Sequence, residues 1–256
     1  MSKLSFLFSL IILLNFKSFS QLPSKIDIQW ALVPAGSFTM GSPETEIGHE
    51  FDEVQHDVNI SSFYVSKFEI TYDQYMFFVK ETNYKKPDSD GLQKGSHPIV
   101  NVSWEDANNF CKWLGVRLLT EAEWEYICRA GTSTPFYYGD VITSEQVNFD
   151  GNHPYNRSPK SDFFGKSKTV GSYKPNKWGI YDLHGNVWEW VSDWVAPYNL
   201  EDKNNPLGPK ESKLERVGRG GSFFDGAEEV RCAQRGGTSA TTFGEQIGFR
   251  VAKIYN

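Results

Sequence analysis

The chain is poor in the residues from which most metalloenzymes and redox proteins are built. Cysteine occurs three times in 256 residues, at Cys111, Cys128 and Cys232, and histidine five times. No cysteine pair has zinc-finger spacing. His49, His56, His97, His153 and His184 form neither an HxH nor an HExxH pattern, so no transition-metal site is written into a short motif. An odd cysteine count allows at most one intrachain bridge. Positive charge is also scarce: 26 Lys and Arg face 32 Asp and Glu, for a formal net charge of −6. An acidic chain does not attract phosphate backbones, so nucleic acid is not an expected partner. Long apolar runs are missing beyond the start, so no membrane span is expected. The exception is Leu4 to Leu14, which follows Lys3 and precedes Ser18, Phe19 and Ser20. That is the layout of a secretory signal peptide over residues 1–20, with cleavage after Ser20 and no cysteine nearby for a lipid anchor. The expected location is then periplasmic or extracellular, with residues 21–256 forming one domain.

What is present is aromatic and turn-rich. Phe, Trp and Tyr make up 15% of the chain, with 22 glycines and 12 prolines, which favours many turns around large rings over long helices. The densest stretch is NKWGIYDLHGNVWEWVSDW, residues 176–194, with four tryptophans, two glycines and three carboxylates. In an extended segment Trp188 and Trp190 share one face and Glu189 points the other way. A buried Glu189 needs a partner. An oxygen-ligated hard cation would serve, and so would an arginine.

Along the chain, residues 28–42 alternate apolar positions around Pro34-Ala35-Gly36-Ser37 and predict a hairpin. Residues 43–57 read as an exposed loop and 58–70 as one or two strands. Capping boxes at Thr71/Gln74, Ser103/Asp106 and Thr120/Glu123 predict three helices. The second should bury Ala107, Phe110, Cys111 and Leu114 and stop at Gly115. The third should bury Trp124, Ile127 and Cys128 and end near Gly131. Residues 132–175 show little periodicity, a stretch long enough to be functional, ion-pinned or disordered; its many aromatics argue against disorder. Arg219, Arg231, Arg235 and Arg250 are expected to pair with buried acids.

Several segments together resemble the formylglycine-generating enzyme, or sulfatase-modifying factor, family. They are PAGSFTMGS (34–42), FYVSKFEITYDQY (63–75), the block from His97 to Thr132, the tryptophan-rich segment, RVGRGGSF (216–223), RCAQR (231–235) and GFRV (248–251). The resemblance spans roughly residues 28–254 in the family's order. It implies an α+β fold: a single compact domain related to C-type lectins, with several short helices and small antiparallel sheets. It also implies two structural calcium ions. One would take the side chains of Asn148 and Asp162 with the carbonyls of Phe149 and Phe164. The other would take Asp182 and Glu189 with the carbonyls of Gly185 and Val187. Both sets supply the oxygens calcium prefers.

The activity is where the resemblance breaks. Family members that make formylglycine use two reactive cysteines that hold copper(I), and soft thiolates are what select that ion. Their place lies between Phe223 and Val230, where this chain has no cysteine and Asp225 stands at the first position. Copper is therefore not expected. The resemblance pairs Cys128 with Cys232 in a disulfide and leaves Cys111 without its partner, since Val251 occupies that place. It also sets Trp188 and Ser222 beside a groove lined by Phe224 and Asp225; the plainer alternative makes Trp188 core packing and Ser222 a turn residue. The expected role is a binding or scaffold module for a peptide, glycan or exported protein. The alternative is an oxidoreductase of this family, either a non-copper, iron-dependent oxidase or a sulfatase activator. Two histidines and a carboxylate converging near Asp225 would favour iron; an aromatic shelf would favour binding.

Overall fold

Each of the three helices begins where its side chains close a capping box. Helix α1 (Tyr72–Thr82) is capped by Thr71 with Gln74, α2 (Trp104–Leu114) by Ser103 with Asp106, and α3 (Glu121–Arg129) by Thr120 with Glu123. In each, the cap oxygen takes an otherwise unpaired first-turn N–H. The buried faces of α2 and α3 are the apolar positions read from the sequence, and α3 is buried all round. The structure, a computed structural model, describes residues 26–88, 94–211 and 214–255; the leader at residues 1–20 lies outside them.

The first strands depart from the predicted hairpin. β1 (Trp30–Val33) and β2 (Gly36–Met40) do not pair with each other. β2 pairs antiparallel with β3 (His56–Ile60), and β1 with β4 (Phe63–Ser66). The two ladders are one bent ribbon, broken at Pro34-Ala35 opposite Ser61-Ser62. Proline cannot donate to a ladder, and the Ala35 N–H goes instead to the Ser62 hydroxyl at 3.0 Å. The turn signal at Pro34 marks this bend. The loop that closes the ribbon is not wholly exposed, because Glu53 is completely buried under Arg231.

The remaining strands assemble around the tryptophan-rich segment. β5 (Trp188–Trp194) pairs antiparallel with β6 (Glu215–Arg219), which pairs with β7 (Arg235–Ser239). On its other side β5 meets β8 (Ile247–Gly248) in parallel, and β9 (Ala252–Ile254) joins the β1–β4 sheet. One apolar core lies under β1–β4 and α3; a second packs α1 and α2 against Trp190 and Phe249. No helix or named strand occurs between α3 and β5. That stretch has its own core: Phe136, Ile142, Val147, Phe149 and Tyr155 close on Ala227 and Val230 of a short 3-10 turn.

Candidate functional site

A double glycine aims the site. Gly221, after β6, has φ +69°, and a Cβ there would fall 2.5 Å from the Val230 side chain and 2.7 Å from the Glu229 carbonyl. Only glycine fits, and the tight turn delivers Ser222 and Asp225 to the end of β5. One oxygen of Asp225 accepts from the Trp188 indole N–H at 2.8 Å, the Ser222 N–H at 2.8 Å and the Ser222 hydroxyl at 2.6 Å. The Ser222 hydroxyl in turn accepts from the Phe224 N–H at 3.1 Å and lies 3.3 Å from the Gln246 amide oxygen. Hydrogen bonds thus link Trp188, Ser222, Phe224 and Asp225, with Trp188 lining one groove and Phe224 and Asp225 the hollow beside it. Asp225 acts there as a clamp, with three donors on one oxygen.

The surroundings are aromatic. Trp188 lies beneath Gly236, where a Cβ would come within 2.9 Å of the ring. It borders a groove of about 270 Å³ with Gly218, Thr238, Gln246 and Ile247. Beside Asp225, the Phe224 ring is 57% exposed and stacks edge-on against Phe163 with centroids 5.5 Å apart. Phe164 is exposed as well, with the Lys168 ammonium 3.5 Å above its ring. One histidine, His153, borders the adjoining acidic hollow, and its Nδ1 bonds Asp150 at 2.9 Å. The iron-type convergence of two histidines on Asp225 is not formed among the described residues.

All three thiols lie away from this groove. Cys111 is in the α2 core, where burial raises its pKa. Cys128 and Cys232 face each other with sulfurs 2.6 Å apart, both fully buried beside His184. This is the one His/Cys cluster of metal-ligand type among the described residues. Its imidazole is already engaged. Nδ1 bonds the Val230 carbonyl at 2.7 Å, and Nε2 accepts from the Tyr137 N–H at 3.1 Å. With the proton fixed on Nδ1, no ring lone pair is left for a metal.

The calcium sets fit unequally. At the first, the Asn148 amide nitrogen donates to Lys166 O and Asn186 Oδ1, while its Oδ1 is buried with no donor. An orphaned oxygen of this kind suits a hard cation. Asp162 and Phe164 sit at the surface of the same stretch and Phe149 is buried. At the second, Asp182 is buried and accepts the Gly171 N–H at 2.6 Å; burial pushes its carboxyl up to about 6. Gly185 and Val187 are buried nearby on the same segment. Glu189, however, is held by Arg250 at 2.5 and 2.6 Å and by the Trp124 indole at 2.8 Å. The arginine alternative thus describes Glu189.

The other C-terminal arginines pair in the same way: Arg219 with Glu125, Arg231 with Glu53 and Glu46, and Arg235 with Glu121 and Asp52. Each is buried and serves the fold.

A family model, the sulfatase-modifying factor enzyme 1-like domain (FGE-sulfatase), matches residues 16–254. The chain belongs to this family. Formylglycine-generating enzyme of Mus musculus is 29% identical, covering 86% of this chain and 73% of that one. The inactive C-alpha-formylglycine-generating enzyme 2 of Bos taurus is 27% identical, covering 86% of each. The structure of PvdO from Pseudomonas aeruginosa superposes with a TM-score of 0.80 at 30% identity, over 90% of this chain and 96% of that one. The similarity spans nearly the whole length, so the single-domain architecture of this sulfatase-modifying factor domain is the family's own. Its relatives carry names for both active and inactive proteins. The chemistry must therefore be argued from the groove. Gln246 and Phe163 are site residues that the sequence reading did not single out: Gln246 has no spacing to mark it, and Phe163 was one of many aromatics in an aperiodic stretch.

Proposed function

We propose that this sulfatase-modifying factor domain is an exported binding module that has no copper-dependent formylglycine-generating activity. The observation that carries this reading is the triple hydrogen bond from Trp188 and Ser222 to Asp225. A carboxylate clamped by three donors stands where the family resemblance places a reactive thiol. The three cysteines are buried elsewhere, and a carboxylate does not replace a soft thiolate for copper(I). The surface beside the groove suits a peptide or protein segment: the exposed Phe224 and Phe163 rings offer an apolar shelf, and aromatic rings with a few polar groups are the usual composition of ligand sites. Residues 1–20 read as a leader, which supports export. No helix among the described residues is long and apolar enough to cross a membrane.

Selection of a random displayed-peptide library on the domain tests the binding role. Enrichment of peptides with apolar anchors is expected, with affinity falling at least about tenfold (~1.4 kcal/mol) in Phe224→Ser. That ring is largely exposed, so the substitution spares the core. A library that enriches nothing on the wild type beyond what it enriches on Phe224→Ser would end the peptide reading.

Export also permits disulfide formation. We propose a Cys128–Cys232 bridge in the mature protein, with calcium as the structural cation of the loop regions. Alkylation after denaturation without reductant should label Cys111 alone; labelling of all three thiols would remove the bridge.

A further inference from the structure

We propose that a cavity at the other end of β5 binds a small organic cation, a primary ammonium on an apolar body, with Asp193 as its counter-ion. The cavity has a volume of about 420 Å³ and shares no lining residue with the groove at Trp188 or the hollow at Asp225. That size is usual for a small-molecule site. Met40, Ala122 and Trp194 form part of its wall, and the segment after β5 adds Pro197, Pro206 and Pro209. This segment is fastened to β3. The Asn59 N–H donates to the Lys203 carbonyl at 2.7 Å, the Asn205 N–H to the Asn59 carbonyl at 2.9 Å, and the Ser61 N–H to the Asn205 side-chain oxygen at 2.7 Å. The wall is therefore set before a ligand arrives, which lowers the ordering cost of binding.

The charge in the cavity is unbalanced. Asp193 is 5% exposed, lines the cavity and forms no ion pair among the described residues. Its Oδ2 accepts from the Glu121 N–H at 2.9 Å and the Ser192 hydroxyl at 2.8 Å. Its Oδ1 has no hydrogen-bond partner among the described residues. Gly208, another lining residue, keeps space beside that oxygen: a Cβ there would come within 2.7 Å of it. Burial, with the Glu121 carboxylate adding to it, pushes the Asp193 pKa up to about 7.

The cationic side chains nearby are engaged elsewhere. Arg235 donates to both Glu121 oxygens, to Asp52 and to the Ala196 carbonyl. Arg216 stacks on the Trp104 and Trp194 rings and lines a different groove. His56 donates from Nδ1 to the Val54 carbonyl and packs on Tyr198. Lys210 is exposed at the rim. A buried carboxylate without a partner is unfavourable, and an ammonium supplies both the opposite charge and a donor for Oδ1. A metal ion fits less well. Calcium asks for about six to eight oxygens, and among the described residues no cluster of metal-ligating side chains forms at Asp193. The apolar wall calls for an alkyl or aryl body on the ammonium.

Titration of phenethylammonium chloride and butylammonium chloride into the full chain, followed by methionine-methyl NMR, tests the site. Met40 lines the cavity and Met76 lies on α1, so one methyl reports the site and the other any general effect. The Met40 signal is expected to shift saturably at millimolar amine while Met76 stays still. Phenethyl alcohol, which lacks the charge, and phenylacetate, which reverses it, should bind at least about tenfold more weakly. Asp193→Asn keeps the outline of the side chain and should weaken amine binding at least about tenfold, with circular dichroism showing that it is folded. The alcohol and carboxylate comparisons use wild type, so they decide the matter even where the variant does not fold. Alcohol binding as tight as the amine's, a preference for phenylacetate, or undiminished amine binding in Asp193→Asn would each overturn the counter-ion role. A Met40 signal that neither amine moves would end the proposal.

Discussion

Arg219→Ala is expected to destabilise the domain by about 3–5 kcal/mol, the usual loss when one partner of a buried ion pair is removed. Arg219 is fully buried where β6 crosses α3. It donates to Glu125 at 2.6 Å and to the carbonyls of Cys232, Ala233 and Gln234 at 2.6–2.9 Å, and stands over the Trp124 ring. Its loss leaves Glu125 with Arg129 as its remaining cationic partner and three carbonyls without their donor. Much of the expected loss comes from these unsatisfied groups. Arg219→Lys keeps the charge but not the planar fork, and should fall between wild type and Arg219→Ala. Urea unfolding measures both. A loss below about 1 kcal/mol for Arg219→Ala would mean that the site behaves like a solvated surface pair.

Calcium removal is expected to have an effect of similar size. A ligand that binds only the folded state stabilises it by about 2.7 kcal/mol at a hundredfold excess over its Kd. For a domain of this length that corresponds to a thermal midpoint lower by on the order of 5–10 °C in chelator. The Asn148 side-chain oxygen, buried without a donor, is the atom such an ion would engage. Residues 132–175 should loosen first, because they hold no helix or named strand and depend on one small core. Hydrogen exchange with and without chelator would show the increase in this stretch. A midpoint that does not move would remove both ions from the account.

The parts of the fold that were legible in the sequence are those set by neighbours along the chain. The helix starts at Thr71, Ser103 and Thr120 were readable because a capping box spans four residues. The inward faces of α2 and α3 were readable from their apolar spacing. Strand partners were not, because pairing is decided far away. The Pro34 signal marks a bend between β1 and β2 whose meaning depends on Ser62, and β5 takes a parallel partner, β8, more than fifty residues on. The same distance limit applies to the site. That the arginines would meet acids could be anticipated, but Arg231 reaching Glu53 across 178 residues could not. Trp188, Ser222 and Asp225 could be placed together only through the family resemblance.

The central claim is that Asp225 stands, clamped by Trp188 and Ser222, where catalysis would require a copper-binding thiol. Its most direct test is mass spectrometry of a cysteine-containing sulfatase peptide incubated with the copper-loaded protein under air. The peptide is expected back with its cysteine intact. Recovery of the aldehyde product, in an amount that grows with protein concentration, would contradict it.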